Sequence, residues 1–301
     1  MTDTATGSPT EAGNPRTRDL DLLPTAELLR VLNAEDALVP GAVAAALPQL
    51  EQAVDLAVTA LRGTGRVHYF GAGSSGRFGV LDAAEVPPTY GFPSDRFVAH
   101  LAGGARAMLS AVEDCEDDEA AGRADAAALT GADLAVGLAA SGRTPYVRGA
   151  LAHARSLGAP TVLLSGDPGA ALAPLADVHV VLATGPEAIA GSTRMKAGTA
   201  QKVALHTFST AVMVRLGRTY SNLMVDVVAT NAKLRGRVTG ILRDAAGTDE
   251  TTAARALRES GGELKVALVM LISGAGAAAA RAALDGAGGV VRGALAVLEG
   301  A

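Results

Sequence analysis

The chain has 301 residues, 49% hydrophobic and 19% charged, with a formal net charge of −5 and a pI near 5.6. That length can bury a large core, as a soft prior two domains' worth, and the acidic balance without a Lys/Arg-rich tract argues against a nucleic-acid partner. A single cysteine, Cys115, excludes an intrachain disulfide and a thiolate metal cluster, while 3% aromatics and no Trp leave specificity to hydrogen bonds and charge.

Residues 1–20 are polar and rich in Gly, Pro and Thr, which predicts a loosely ordered start. The N-terminus lacks a basic start followed by an apolar core, so no secretory signal is expected and the protein is expected in the cytoplasm. Residues 21–56 are expected to hold N-terminal helices, one beginning at Thr25 as N-cap and a longer one over 41–62. From 57 to 220 strands and helices alternate. Strands are expected at Val67–Phe70, Phe97–Leu101, Asp133–Ala139, Thr161–Ser165 and Val178–Leu182. Helices are expected at Phe78–Glu85, stopped by Pro87-Pro88, at Ala105–Val112, at Tyr146–Leu157 and at Met195–Leu216. Such alternation implies an α/β, doubly wound, mostly parallel sheet with helices on both faces. From 221 to 301 the strand signal vanishes and helices are expected near 231–245, 249–260, 264–273, 275–284 and 288–298. The longest apolar stretch, Val266–Ala280, is broken by glycines and falls short of the roughly 20 residues of a membrane span, so it is expected to be a buried helical region.

Three hydroxyl- and glycine-rich turns stand out: Gly71–Arg77, Ser141–Thr144 and Gly191–Lys196. The first two follow a strand, and all three precede a helix. Glycine allows close approach of backbone, a helix N-terminus offers free N–H groups, and Ser, Thr, Arg and Lys add donors and charge. Together they point to a phosphorylated, hydroxyl-rich small molecule such as a sugar phosphate. The expected ligands are Ser74, Ser75, Gly76, Ser141, Arg143, Thr144, Glu187, Ser192 and Lys196. Gly71-x-Gly73-x-x-Gly76 also fits a dinucleotide fingerprint, but the acidic residue at the expected distance, Asp95, lies in a turn and not at a strand end.

Three carboxylates stand out. Glu85 precedes Val-Pro-Pro, Glu116 lies in the acidic run Glu113–Glu119, and Glu187 precedes the third turn. The acidic run alone reads as a solvated helix start, and nothing in it singles out Glu116. The five histidines show no metal-ligand spacing, and no Ser-His-Asp order can be argued.

At these residues the chain resembles the N-acetylmuramic acid 6-phosphate etherase family, built on a sugar isomerase (SIS) domain. The resemblance is carried by Asp19–Arg30, Asn33–Asp36, Gly71–Gly91, Ala140–Tyr146, Gly191–Lys202 and Asn222–Asn231. It implies an SIS-type sheet from 57 to 220 and cleavage of a lactyl ether at C3 of the sugar. Glu85 and Glu116 are implied as the acid/base pair. It further implies a homodimer, no metal and no cofactor, with a sugar phosphate as ligand. Two departures are visible. Asp114-Cys115 stand where the family has Gly-Ala, which could disturb the presentation of Glu116, and Val86 stands where Cys is common. Rival expectations are a sugar-phosphate sensor, like the related glucokinase regulatory proteins, and an aldose–ketose isomerase using Glu187 as base.

Overall fold

The computed structural model describes residues 8–226 and 232–300, and for 232–235 and 237 the backbone alone. The end of the Asn222–Asn231 segment and the expected helix start at 231 lie outside the described residues. The chain divides into two compact units, Met1–Ala84 with Asp95–Ser209, and Glu85–Ser94 with Thr210–Ala301. The second unit thus takes in Glu85–Ser94 and residues 210–220, which the sequence placed with the sheet.

In the first unit α1 (Thr25–Asp36), α2 (Val39–Ala45) and α3 (Leu47–Arg62) precede β1 (Val67–Gly71). Then follow α4 (Gly73–Tyr90), β2 (Phe97–Leu101), α5 (Arg106–Leu109), α6 (Glu119–Asp125) and β3 (Leu134–Leu138). They continue with α7 (Pro145–Ser156), β4 (Thr161–Ser165), β5 (Val178–Val181) and α8 (Lys196–Arg215). The five strands form one parallel sheet in the order β2-β1-β3-β4-β5. Every residue of β1, β3 and β4 is buried, as expected for strands covered on both faces. Phe70, Ala135 and Leu163 share a core with Val147, Ala150 and Leu151 of α7. That packing is close: a Cβ on Gly137 would come within 2.6 Å of Val147 Cγ1. On the other face Gly79 of α4 lies against Tyr69 and Leu138, and α3 packs on β1, β3 and β5.

Several expectations are corrected. Thr25 is the first helical residue and not the cap, because Pro24 occupies the cap position. The expected helix over 41–62 is two helices meeting at Ala46, with Pro48 in the first turn of α3. A proline there has no N–H to continue the preceding helix, yet suits the start of a new one. Pro87-Pro88 do not stop α4, which continues to Tyr90. The missing N–H groups leave Ala83 and Ala84 without their usual donors, and the boundary between the units falls directly after Ala84. The acidic run ends in α6, capped by the Asp118 carboxylate, which accepts the Ala121 N–H. The first residues are not loose from Ser8 onward. Ser8, Thr10, Asn14 and Thr17 are buried, because their polar groups find partners in α1 and the 186–191 loop.

The second unit is helical, as expected, apart from a small hairpin of β6 (Thr219–Tyr220) and β7 (Leu223–Met224). Its helices are α9 (Ala232–Ala246), α10 (Glu250–Glu259), α11 (Leu264–Ser273), α12 (Ala277–Gly286) and α13 (Val291–Glu299). Its core holds Leu242, Ala253, Ala267, Leu268, Val269, Ala280 and Ala294. The apolar stretch supplies α11 and part of α12, which bend by 108° at their break. No single helix among the described residues is long and apolar enough to cross a membrane, although this bent pair passes by length and composition together.

Two backbone and charge features of the first unit have measurable consequences. Asp114 sits at φ 61°, the left-handed conformation that glycine adopts freely. The glycine that the resemblance implies at this position would suit this turn, which the chain keeps with a costlier residue. Asp114→Gly is expected to raise unfolding free energy by about 1 kcal/mol, read as a higher urea midpoint at unchanged m-value.

Asp82 is 2% exposed. It accepts hydrogen bonds from Tyr69 Oη and Ser209 Oγ, both at 2.8 Å, with His206 Nε2 3.8 Å away. Burial outweighs these bonds and pushes its carboxyl up to about 6. Between the ordinary value of 3.8 and about 6, the folded protein holds a proton that the unfolded chain has released. Stability from this group therefore falls as pH rises through that window, by roughly 3 kcal/mol in all. Asp82→Asn is expected to flatten that decline relative to wild type in urea titrations at pH 4.5 and 7.

Candidate active site

Chain order reverses between β1 and β3: β2 lies outside β1, while β4 and β5 extend beyond β3. At such a switch point the connections leave in opposite directions and open a crevice at the carboxyl ends of the strands. Gly71, the last residue of β1, pairs in register with Leu138, the last of β3. The first and second turns therefore emerge side by side at that crevice.

In the first turn, a Cβ on Gly71 would lie 2.8 Å from the Gly76 backbone, and one on Gly76 would lie 2.5 Å from Gly71 O. The start of α4 thus rests directly on the end of β1. The two serines have different fates. Ser75 is 8% exposed and donates to Gln201 Oε1 at 2.7 Å, while Gln201 Nε2 donates to Leu164 O at 3.3 Å. Ser75 is thereby engaged in joining α4, α8 and β4. The half-buried Ser74 hydroxyl makes no hydrogen bond among the described residues, which leaves it open to a ligand.

In the second turn, Gly142 N–H bonds Ala139 O at 2.9 Å. Thr144 holds the N-cap position of α7 without making the side-chain cap bond. Its hydroxyl and that of Ser141 are half-buried and unengaged among the described residues. Arg143 is exposed, with Nη2 3.8 Å from Asp167 Oδ2, an oxygen that is buried without a hydrogen-bond partner.

The third turn is held from beneath. Glu187 is fully buried and accepts the Lys196 N–H at 3.2 Å and the Ala197 N–H at 2.9 Å, so it caps α8. Burial raises its pKa despite those bonds. Lys196 is 1% exposed, with Nζ 2.6 Å from Glu35 Oε2. The structure therefore places both head groups inside the protein, where each already has partners. Ser192 remains half-buried at the turn itself.

Glu116 is exposed and lines a cavity of about 410 Å³ together with Gly73 and Arg77 of the first turn. Its neighbours Glu113, Asp114 and Asp117 line the same cavity. Glu116 also bonds through its carbonyl to the Tyr146 N–H at 2.9 Å, which ties the acidic loop to the start of α7. Arg77 ties the preceding loop to α4, donating to Ala107 O at 2.8 Å and Ser110 O at 3.2 Å. The structure thus gathers Glu116 with the first turn and links it to the second. Glu85 is an exposed residue of α4 in the second unit. Sequence reasoning missed Asp167, which carries no local signal, and the role of Gln201, whose signal was its place in the third polar run.

The chain matches the family model for the glucokinase regulatory protein N-terminal SIS domain over residues 49–155, and that for the SIS domain over 110–211. Among solved structures it is similar to a phosphoheptose isomerase from Francisella tularensis. The TM-score is 0.50 at 18% identity, covering 64% of this chain and 100% of that one. That likeness supports the fold alone. An N-acetylmuramic acid 6-phosphate etherase from Thermobifida fusca (strain YX) is 63% identical over 266 residues, 88% of each chain. Another from Pectobacterium atrosepticum is 50% identical over 287 residues, 95% of each. At that identity over nearly the whole length, the chain belongs to the N-acetylmuramic acid 6-phosphate etherase family.

Proposed function

We propose that the protein is a carbon–oxygen lyase that cleaves the C3 lactyl ether of N-acetylmuramic acid 6-phosphate. The products are N-acetylglucosamine 6-phosphate and D-lactate. The observation that carries this reading is the 63% identity to the Thermobifida fusca etherase across 88% of both chains. The paired hydroxyl turns at the β1/β3 crevice support it by offering neutral donors to a phosphate.

The chemistry needs one base and one acid. An ether resists simple cleavage because an alkoxide is a poor leaving group. With the sugar open and C1 an aldehyde, the C2 proton becomes acidic. Glu116 as carboxylate takes that proton, the electron pair forms the C2–C3 double bond, and the C3–O bond breaks. Glu85 as acid protonates the departing lactate oxygen. Both residues then stand in the opposite protonation state. Glu85 takes a proton from water as its oxygen adds to C3, and Glu116 returns its proton to C2. Each cycle restores both carboxyl groups and consumes one water, with no metal or redox cofactor required. Such proton transfers are each worth about 10²–10⁴ in rate.

In this reading Ser74, Gly76, Ser141, Arg143, Thr144 and Ser192 contact the phosphate and sugar hydroxyls. Ser75 acts through Gln201, and Glu187 and Lys196 hold the third turn in place. The protein is further proposed to be a homodimer, as the family resemblance implies, and to act in the cytoplasm, as the lack of a secretory-signal pattern suggests.

Purified protein incubated with N-acetylmuramic acid 6-phosphate is expected to release D-lactate and N-acetylglucosamine 6-phosphate in equal amounts; no lactate would remove the etherase reading. Light scattering is expected to give about twice the 30.0 kDa chain mass. Glu85→Gln is expected to lower kcat by about 10²–10⁴, with competitive inhibition by inorganic phosphate unchanged. Near-normal turnover in that variant would remove Glu85 as the acid.

A further inference from the structure

The N-terminal segment crosses the carboxyl edge of the sheet. Thr10 is 1% exposed, and its Cγ2 lies 3.8 Å from where a Cβ on Gly166 would stand. Gly166 N–H in turn bonds Ala140 O at 2.8 Å, one residue before the second turn. Thr10 O accepts the Gly191 N–H at 3.0 Å, at the third turn. Ser8 Oγ and Thr10 Oγ1 are 3.0 Å apart and both buried. Further along, Asn14 Nδ2 donates to Pro186 O at 3.2 Å, and Thr17 Oγ1 donates to Ala188 O at 2.9 Å. Seven residues of strap, 8–14, thus run from the β4 end to the third turn and are anchored on both sides.

This course sets one side chain at the third turn. Glu11 Oε2 lies 3.0 Å from the position of a Cβ on Gly191, a residue at φ 75°. Glycine here meets two demands at once, the left-handed backbone and the space the carboxylate occupies. Glu11 is exposed, forms no ion pair among the described residues, and receives one long bond, from Thr10 Oγ1 at 3.4 Å. An ionised carboxylate repels a phosphate and accepts only from donors. The third turn is then unsuited to the phosphate on the side Glu11 covers, and suited to neutral O–H or N–H groups.

We propose that Glu11 is a specificity-determining residue that accepts hydrogen bonds from the hydroxyl or acetamido donors of the sugar, while the first and second turns take the phosphate. This rests on the sugar-phosphate reading of the site given above. The strap therefore forms one wall of the binding site.

Calorimetric titration separates the two readings, because it needs no turnover. Full-length wild type, Glu11→Gln and Glu11→Ala are titrated with N-acetylglucosamine 6-phosphate and, separately, with inorganic phosphate. Glu11→Ala is expected to weaken sugar-phosphate binding about tenfold or more, and Glu11→Gln by less, since its amide oxygen still accepts. Phosphate affinity is expected to stay within about twofold in both, as is usual for a group that touches only the sugar. Unchanged sugar-phosphate binding in Glu11→Ala overturns the proposal. So does an equal loss for inorganic phosphate, which would mark Glu11 as a structural prop. Lactate release by wild type is scored independently: its absence removes the etherase chemistry while the titration still decides Glu11. If wild type binds no sugar phosphate, both readings fall.

Discussion

One buried anion holds together the parts of the first unit that meet at the third turn. The Glu35 carboxylate, on α1, receives Arg16 Nε at 2.5 Å and Nη2 at 2.9 Å, Asn14 Nδ2 at 2.7 Å and Lys196 Nζ at 2.6 Å. The Arg16 bonds, with help from Lys196 and Asn14, hold it down at about 2 against the opposing effect of burial. Glu35 is 3% exposed and Lys196 1%, so both charges have left water. A buried pair repays that loss only when its remaining hydrogen-bonding capacity is filled, and here Asn14 at the end of the strap and Arg16 just beyond it supply the filling groups. The strap, α1 and α8 are therefore mutually dependent. Removing any one leaves an ion in the interior with too few partners.

The Asn14 amide shows how this arrangement propagates. Its oxygen accepts the Arg16 N–H at 3.0 Å while its nitrogen serves both Glu35 and Pro186 O. That single side chain sets the local turn of the strap and docks it on the loop that leads into the third turn. Glu187 continues the pattern from the other side by capping α8 at Lys196 and Ala197. A helix N-terminus favours a carboxylate, and this one arrives from the same loop. The third turn is thus framed by two buried carboxylates, each satisfied by the chain's own donors.

What was legible in the sequence followed from local rules. The five strands are apolar runs bounded by turn residues, and the helices that follow them begin at Gly-, Ser- or Pro-rich turns, so their order and type could be read within a few residues. The break at Ala46 was missed because the apolar pattern runs across it and only Pro48 marks it. The ordered strap was missed because its residues are polar and look solvated. They are buried for a reason no local window contains: Asn14 and Pro186 are 172 positions apart, and Glu35 and Lys196 161. For the same reason Lys196 reads as a ligand, since a cation beside a glycine turn looks available until its distant partner is known, while Glu187 reads as one because only the folded turn brings it back onto the N–H groups of Lys196 and Ala197. The acidic run shows the opposite limit. Four of its carboxylates face one cavity, so even the structure distinguishes Glu116 mainly by its backbone tie to the start of α7.

The distribution of charge fits the chemistry that the family requires. A site that holds a phosphate beside working carboxylates has conflicting needs. Cations at the phosphate strengthen binding, but a cation close to a carboxyl group favours its ionised form and weakens it as an acid. Under the proposed function, the first two turns meet both needs largely with neutral donors: backbone N–H groups at helix starts and the open hydroxyls of Ser74, Ser141 and Thr144. Arg77, which lines the same cavity as Gly73, directs two of its donors, Nε and Nη2, to the carbonyls of Ala107 and Ser110. Lys196, which the sequence offers as the obvious phosphate cation, has its charge matched by Glu35 inside the protein. The buried ion pair that orders the strap therefore also keeps an ammonium from standing uncompensated at the third turn.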